Sequence, residues 1–158
     1  MSGDVLSVAA ICLGLLALAQ GECVRKTIAF TATLTESRKV NANQVVKYNN
    51  VITNIGNAYN SYTGVFTAPV DGVYGFHMHV LTQSGAEAWL DLFHNEEYIV
   101  STYANEPGGY DAAGNSVMLT LNVGDRIQVK AHTSALLYGQ ADQQYATFTG
   151  FLIALTSN

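Results

Sequence analysis

From Tyr48 to Phe76 the chain reads Y-N-N-V-I-T-N-I-G-N-A-Y-N-S-Y-T-G-V-F-T-A-P-V-D-G-V-Y-G-F. Thr63-Gly64 and Pro69-Val70-Asp71-Gly72 are turn chemistry. Glycine takes positive φ without a steric penalty, proline fixes φ, and aspartate bonds back to its own backbone. Val65-Phe66-Thr67 lies between the two turns and is short and strand-like. After Gly72 the residues alternate. Tyr74, Phe76, Met78 and Val80 fall on one face, and Gly75, His77 and His79 on the other. An aromatic stripe at period two marks a half-buried strand, with its rings in a core.

The same rhythm extends outward. Ile28 to Leu34 alternates and reads as the first strand, Glu36 to Gln44 as a polar loop, and Val45 to Tyr48 as a second strand. The Asn-rich run 49–61 reads as turns and short extended pieces. Strands are then expected at 62–67, 72–82, 86–94, 97–103, 116–123, 126–133 and 145–155. Short strands at regular spacing, with turn signals between them, predict an all-β sandwich or barrel. Val117, Leu119, Leu121 and Val123 share one face. Gly124-Asp125 turns the chain, and Ile127 and Val129 return on a buried face, which predicts a hairpin. The last strand, carrying Phe148, Gly150 and Phe151, is apolar on both faces toward its end. A strand buried on both sides has that pattern.

The stretch from Tyr48 to Phe76 resembles the signature of the C1q domain, the globular head of complement C1q and its relatives. Tyr48, Asn54, Tyr59, Phe66, Gly72, Tyr74 and Phe76 fall in register with it. Tyr48 stands where Phe is usual, and Met78 where a final Phe or Tyr is usual. Residues 115–129 resemble the family's penultimate hairpin and 145–153 its closing strand. The resemblance implies a jelly-roll β-sandwich of about ten strands that assembles as a homotrimer. On this reading the signature residues, with Phe148, Gly150 and Phe151, supply core and trimer packing. Assembly is expected through the strand faces that carry the aromatic signature.

Composition narrows the function. The chain has 158 residues, enough for one domain with a sizeable core, with 12% charged residues and a net charge of -5. No basic stripe suits nucleic acid, so no nucleic-acid partner is expected. No stretch repeats Gly-X-Y, so no collagen stalk is expected. Val5 to Ala19 is an apolar run of about 15 residues, short of the ~20 that a membrane span needs. Small residues follow it, so residues 1–21 are read as a signal peptide cleaved before Glu22, with cleavage after Ala19 as the alternative. Residues 22–27 are then a short lead and 28–158 the C1q domain, secreted and with no membrane span in the mature protein. Cys12 leaves with the signal peptide. Cys23 remains as the one mature cysteine, and is either an intermolecular disulfide that links higher oligomers or an incidental thiol.

Chemistry is sparse. The chain has no Gly-x-Ser-x-Gly elbow, no His-Glu-x-x-His and no phosphate loop, so no enzyme is expected. His77 and His79 project from one strand face and His132 lies on a later strand, a thin basis for a transition metal. Glu96-Glu97 reads as a solvated turn. Some C1q relatives hold calcium through two Asp residues, one after a Thr-Tyr pair and one before an Ala-x-Gly stretch. Here Ala104 follows Thr102-Tyr103, and only Asp111 matches, ahead of Ala112-Ala113-Gly114. Asn105 and Glu106 share that loop, and Pro107-Gly108-Gly109 alters it. A hard cation wants six or more oxygens, so Asp111 is read as a turn residue ahead of a calcium ligand, and no cofactor is expected. Tyr and Asn abound in the loops, at Asn57, Tyr59, Asn60, Tyr62, Tyr103, Asn105, Tyr110 and Tyr138. They suit sugars and protein epitopes alike. The function implied is lectin-like or opsonin-like pattern recognition of microbial or host surface ligands in innate immunity. The alternatives are a cerebellin-like or TNF-like ligand of a cell-surface receptor protein, and a matrix component.

Overall fold

The computed structural model describes residues 26–156. The leader over 1–21 and Cys23 lie outside the described residues. Among the described residues there are twelve strands: β1 (Ala29–Thr33), β2 (Glu36–Val40), β3 (Asn50–Ile55), β4 (Tyr59–Asn60), β5 (Val65–Thr67), β6 (Gly72–Leu81), β7 (Glu87–His94), β8 (Glu97–Asn105), β9 (Ala112–Leu121), β10 (Arg126–Ala131), β11 (Ala135–Gln140) and β12 (Thr147–Leu155). One five-stranded sheet has the order β3-β1-β12-β6-β9 and the other β4-β5-β10-β7-β8; β11 and β2 make a two-stranded ribbon. Neighbouring strands run antiparallel. The chain passes from one sheet to the other between β3 and β4, β5 and β6, β6 and β7, β8 and β9, and β9 and β10. This is the jelly roll, with ten strands in the two sheets and a ribbon beside them.

The period-two stripe becomes the core. Tyr74, Phe76, Met78 and Val80 are all at most 2% exposed. From the facing sheet Phe66 sets its ring edge-on to Phe76 at 5.2 Å between centroids. Phe30 stacks on Tyr59 at 4.7 Å and meets Phe148 edge-on at 5.0 Å. Offset and edge-to-face rings favour each other beyond the area they bury. Gly150 pairs with Phe30 on one side and Phe76 on the other. A Cβ there would stand 2.5 Å from a Phe30 ring carbon and 2.6 Å from two of Phe76. Glycine is required at this position for space, because the two rings occupy the volume that a side chain would need.

Several expectations change. Residues 36–40 are a strand, not loop, and pair with β11, which has no counterpart among the expected strands. Both are short, and β2 is mostly polar (E-S-R-K-V), so neither carries a period-two signature. Residues 50–55 form β3, an edge strand with half-buried and exposed residues only. With no fully buried side, its alternation is weak. Residues 45–48 make no strand. Val45 forms a single bridge with Lys130, and Val46 N donates to Val129 O at 2.8 Å. Tyr62 belongs to a turn ahead of β5. The expected hairpin of 115–129 is a corner: β9 pairs with β6, while β10 pairs with β5 and β7 in the other sheet. Val123 sits in that corner and is 61% exposed rather than buried.

Candidate functional site

Because Tyr74, Phe76 and Met78 point into the sandwich, the next residues along β6 point out. Gly75 pairs with Phe151 of β12 on one side and Met118 of β9 on the other. Met118 is 75% exposed, and Phe151, Ile153 and Leu155 are all exposed as well. Met118, Phe151 and Ile153, with Gly75, His77 and Ser116, line a hollow of about 530 Å³. Gly75 makes its floor: a Cβ there would come within 3.2 Å of Phe151 Cζ and 3.4 Å of Ile153 Cδ1. At the rim His77 Nδ1 and Ser116 Oγ are 2.8 Å apart. The face is apolar with one polar pair. Apolar surface of this kind gains roughly 25 cal/mol per Å² when taken out of water.

The signature residues divide accordingly. Tyr48, Tyr59, Phe66, Tyr74, Phe76 and Phe148 are buried in the sandwich. Gly72 and Gly150 are buried and Asn54 is half-buried. Phe151 alone among them points outward. The stripe that was expected to meet a neighbouring subunit is consumed by the protomer's own core. The uncovered apolar face is the opposite one. Met118 was missed because alternation placed it on the solvent side of its strand. Only its neighbours across the sheet make it part of a face.

Burial also shows in the tyrosines. Desolvation pushes the phenols of Tyr48 and Tyr59 well up, although a bond from Tyr59 to the Tyr48 carbonyl offsets part of the effect in Tyr59. Tyr74 is raised by the same cause, partly offset by its bond to the Val70 carbonyl.

At one end of the sandwich Asp111 closes the loop between β8 and β9. Its Oδ2 accepts from Asn105 N at 2.8 Å and its Oδ1 from Ala112 N at 2.9 Å. Thr82 Oγ1 accepts from Asp111 N at 3.0 Å. Both carboxylate oxygens thus hold backbone amides, as a turn residue does. His77 and His79 bond to Ser116 Oγ and the Tyr145 carbonyl. His132 follows β10 in the other sheet. It stacks on Trp89 at 3.9 Å, with Nδ1 2.7 Å from Asp91 Oδ2. The structure does not bring the three histidines together. Among the described residues no three His, Cys, Asp or Glu side chains are grouped to hold a metal.

A model of the C1q domain matches residues 29–153. The chain belongs to the C1q-domain family. It is 36% identical over 128 residues to human complement C1q tumor necrosis factor-related protein 3, covering 80% of this chain and 51% of that protein. It is 33% identical over 129 residues to caprin-2 of Danio rerio, covering 80% of this chain and 14% of that protein. The chain therefore spans about half of one relative and a small part of the other. Among solved structures it resembles the globular domain of zebrafish complement 1qA protein, with a TM-score of 0.67 and 24% identity over 82% of this chain and 99% of that one. It also resembles Eiger TNF from S. frugiperda, with a TM-score of 0.66 and 15% identity over 85% of this chain and 97% of that one. These likenesses are of fold. No helix among the described residues is long and apolar enough to cross a membrane.

Proposed function

We propose that this C1q-domain protein is a secreted, non-enzymatic recognition molecule that works as a homotrimer. The observation that carries the reading is the uncovered row Met118–Gly75–Phe151, with Ile153 and Leu155 beside it. Contiguous exposed apolar side chains on a soluble domain mark an interaction site. A closed ring of three copies would cover one such face per subunit and repeat each subunit's loops around the axis. Three linked sites raise the effective concentration of the second and third contacts, so weak binding to a repetitive surface becomes strong. The ligands proposed are microbial or host surface molecules, carbohydrate among them, bound in a lectin-like or opsonin-like way. No metal is invoked, since the oxygens of Asp111 are engaged by backbone amides. The chain proposed to act is residues 28–158, released by removal of 1–21, with Cys23 near the new N-terminus.

A second reading is a signalling ligand, cerebellin-like or TNF-like, for a cell-surface receptor. The TNF-like fold favours it. Light scattering on the secreted protein tests assembly, with a trimer or a multiple of one expected; a stable monomer at micromolar concentration overturns it. A glycan and microbial-lipid array with the same material tests recognition. Agglutination blocked by free sugar supports the first reading, and a receptor bound at nanomolar affinity without glycan competition supports the second.

A further inference from the structure

β6 carries two histidines on the side that faces away from the core. Tyr74, Phe76, Met78 and Val80 take the buried side, so His77 and His79 project together from the other. His77 is exposed and His79 half-buried. In register beside them stand Ser116 and Gly114 of β9 and Thr149 and Thr147 of β12. None of these four is charged, so no lysine or arginine directly across the sheet would repel a bound cation.

Each ring is held by one nitrogen. His79 Nδ1 lies 2.6 Å from the Tyr145 carbonyl oxygen. A carbonyl only accepts, so Nδ1 carries the proton there, and in the neutral ring the lone pair is left on Nε2. His77 Nδ1 lies 2.8 Å from Ser116 Oγ, which can accept in the same way. Among the described residues nothing bonds to Nε2 of either ring. A histidine that donates from one nitrogen to a fixed acceptor and leaves the other open has the arrangement of a metal ligand.

Gly114 brings the two rings to one space. A Cβ there would stand 3.4 Å from His79 Cδ2 and 3.5 Å from His77 Cε1. Each of these carbons is bonded to Nε2 of its own ring. The two open nitrogens therefore border the same space, above a residue with no side chain to fill it. The χ2 angle of histidine has broad wells, which lets both nitrogens turn toward one ion.

We propose that His77 and His79 form a two-histidine site for a divalent transition metal of the copper or zinc type, with water completing its coordination. Two imidazoles are fewer protein ligands than a closed zinc site takes. They suit Cu²⁺ in a tetragonal shell of nitrogen and oxygen, and the usual order of affinities places Cu²⁺ above Zn²⁺. Ca²⁺ takes oxygen ligands and is not held there. The site lies on one subunit. It goes beyond the recognition reading and does not depend on it.

The probes are Cu²⁺, Zn²⁺ and Ca²⁺, each titrated calorimetrically into the purified full chain carrying Cys23→Ser, so that its thiol takes no metal. Cu²⁺ should bind more tightly than Zn²⁺. His77→Gln and His79→Gln should each weaken Cu²⁺ about a hundredfold, because losing one of two linked ligands removes the chelate. Neither variant should alter any response to Ca²⁺. His132→Gln, which follows β10 in the other sheet, should leave all three titrations unchanged. Electron paramagnetic resonance of the Cu²⁺ form should show two imidazole nitrogens, reduced to one in either single variant. Both side chains lie outside the core, so circular dichroism should stay that of the parent. Cu²⁺ affinity unchanged in the double variant overturns the site, as does an equal loss in His132→Gln. A parent spectrum with only one imidazole nitrogen also overturns it.

Discussion

Asn54 grips Tyr59 by both ends of its backbone. Asn54 Nδ2 donates to Tyr59 O at 2.8 Å, and Asn54 Oδ1 accepts from Tyr59 N at 3.1 Å. The side-chain amide takes the place of a neighbouring strand at the end of β3. It fixes the entry of a ring that stacks on Phe30 and whose hydroxyl donates to Tyr48 O at 3.2 Å. Asn54→Ala removes both bonds and strands two part-buried backbone groups. The expected loss is about 2–4 kcal/mol of stability, at the usual cost of each unsatisfied group. Urea unfolding measures it; an unchanged midpoint would mean that water replaces the amide freely.

Phe76 and Gly150 form a second coupled pair. Phe76→Ala should cost about 3–5 kcal/mol by leaving a cavity among Phe66, Tyr74 and Phe148. Gly150→Ala should cost about 1–3 kcal/mol or more for the opposite reason, since the added methyl meets two rings. Placing both changes together should be less harmful than their sum, because each relieves part of the other's fault. Strict additivity in thermal melts would contradict the packing described here.

Asp125 provides a pH-dependent contribution at the β9–β10 corner. Hydrogen bonds from Asn95 and from the amide of Asn122 hold its carboxyl below the ordinary carboxylate range, and His94 adds to this. A depressed pKa stabilises the fold fully above the unfolded value of ~3.9. That contribution is lost as pH falls from there through the folded value. Asp125→Asn should therefore lower stability at pH 7 and flatten the decline in stability below about pH 4. Denaturant midpoints measured between neutral and acid pH decide it.

Met118→Arg or Phe151→Arg should convert the proposed trimer to a monomer. A long cation introduced on the apolar row would be buried without a partner on assembly, at a cost of several kcal/mol. Both side chains point away from the core, so far-UV circular dichroism should stay that of the parent. Light scattering that still reports a trimer would move the interface elsewhere.

Cys23 bears on valency. In an oxidising compartment a bridge between two cysteines persists, and two trimers joined at their leads would present sites facing opposite ways. Non-reducing electrophoresis of secreted material should show a dimer band that disappears with reductant and in Cys23→Ser. A monomer band under both conditions removes the linked form. N-terminal sequencing of the same sample shows whether residues 1–21 have been removed.

The sequence by itself determined the buried stripe of β6, the main turns and the family. The stripe Tyr74, Phe76, Met78 and Val80 reads as one buried face because side chains alternate at period two whatever the strand pairs with. Turns at Gly64 and Gly124 follow from the tolerance of glycine for positive φ, which both adopt. The spacing from Tyr48 to Phe76 carried the family. Only the tertiary structure decided which sheet each strand joins. Residues 115–129 have the alternation and turn of a hairpin, yet the corner sends β9 to β6 and β10 to β7, because pairing depends on which distant strand offers an open edge. β2 and β11 have no clear signature in the sequence, since neither has an alternating apolar pattern of its own. The apolar row on β6, β9 and β12 exists only when segments far apart in the chain are brought together. No local pattern encodes that proximity.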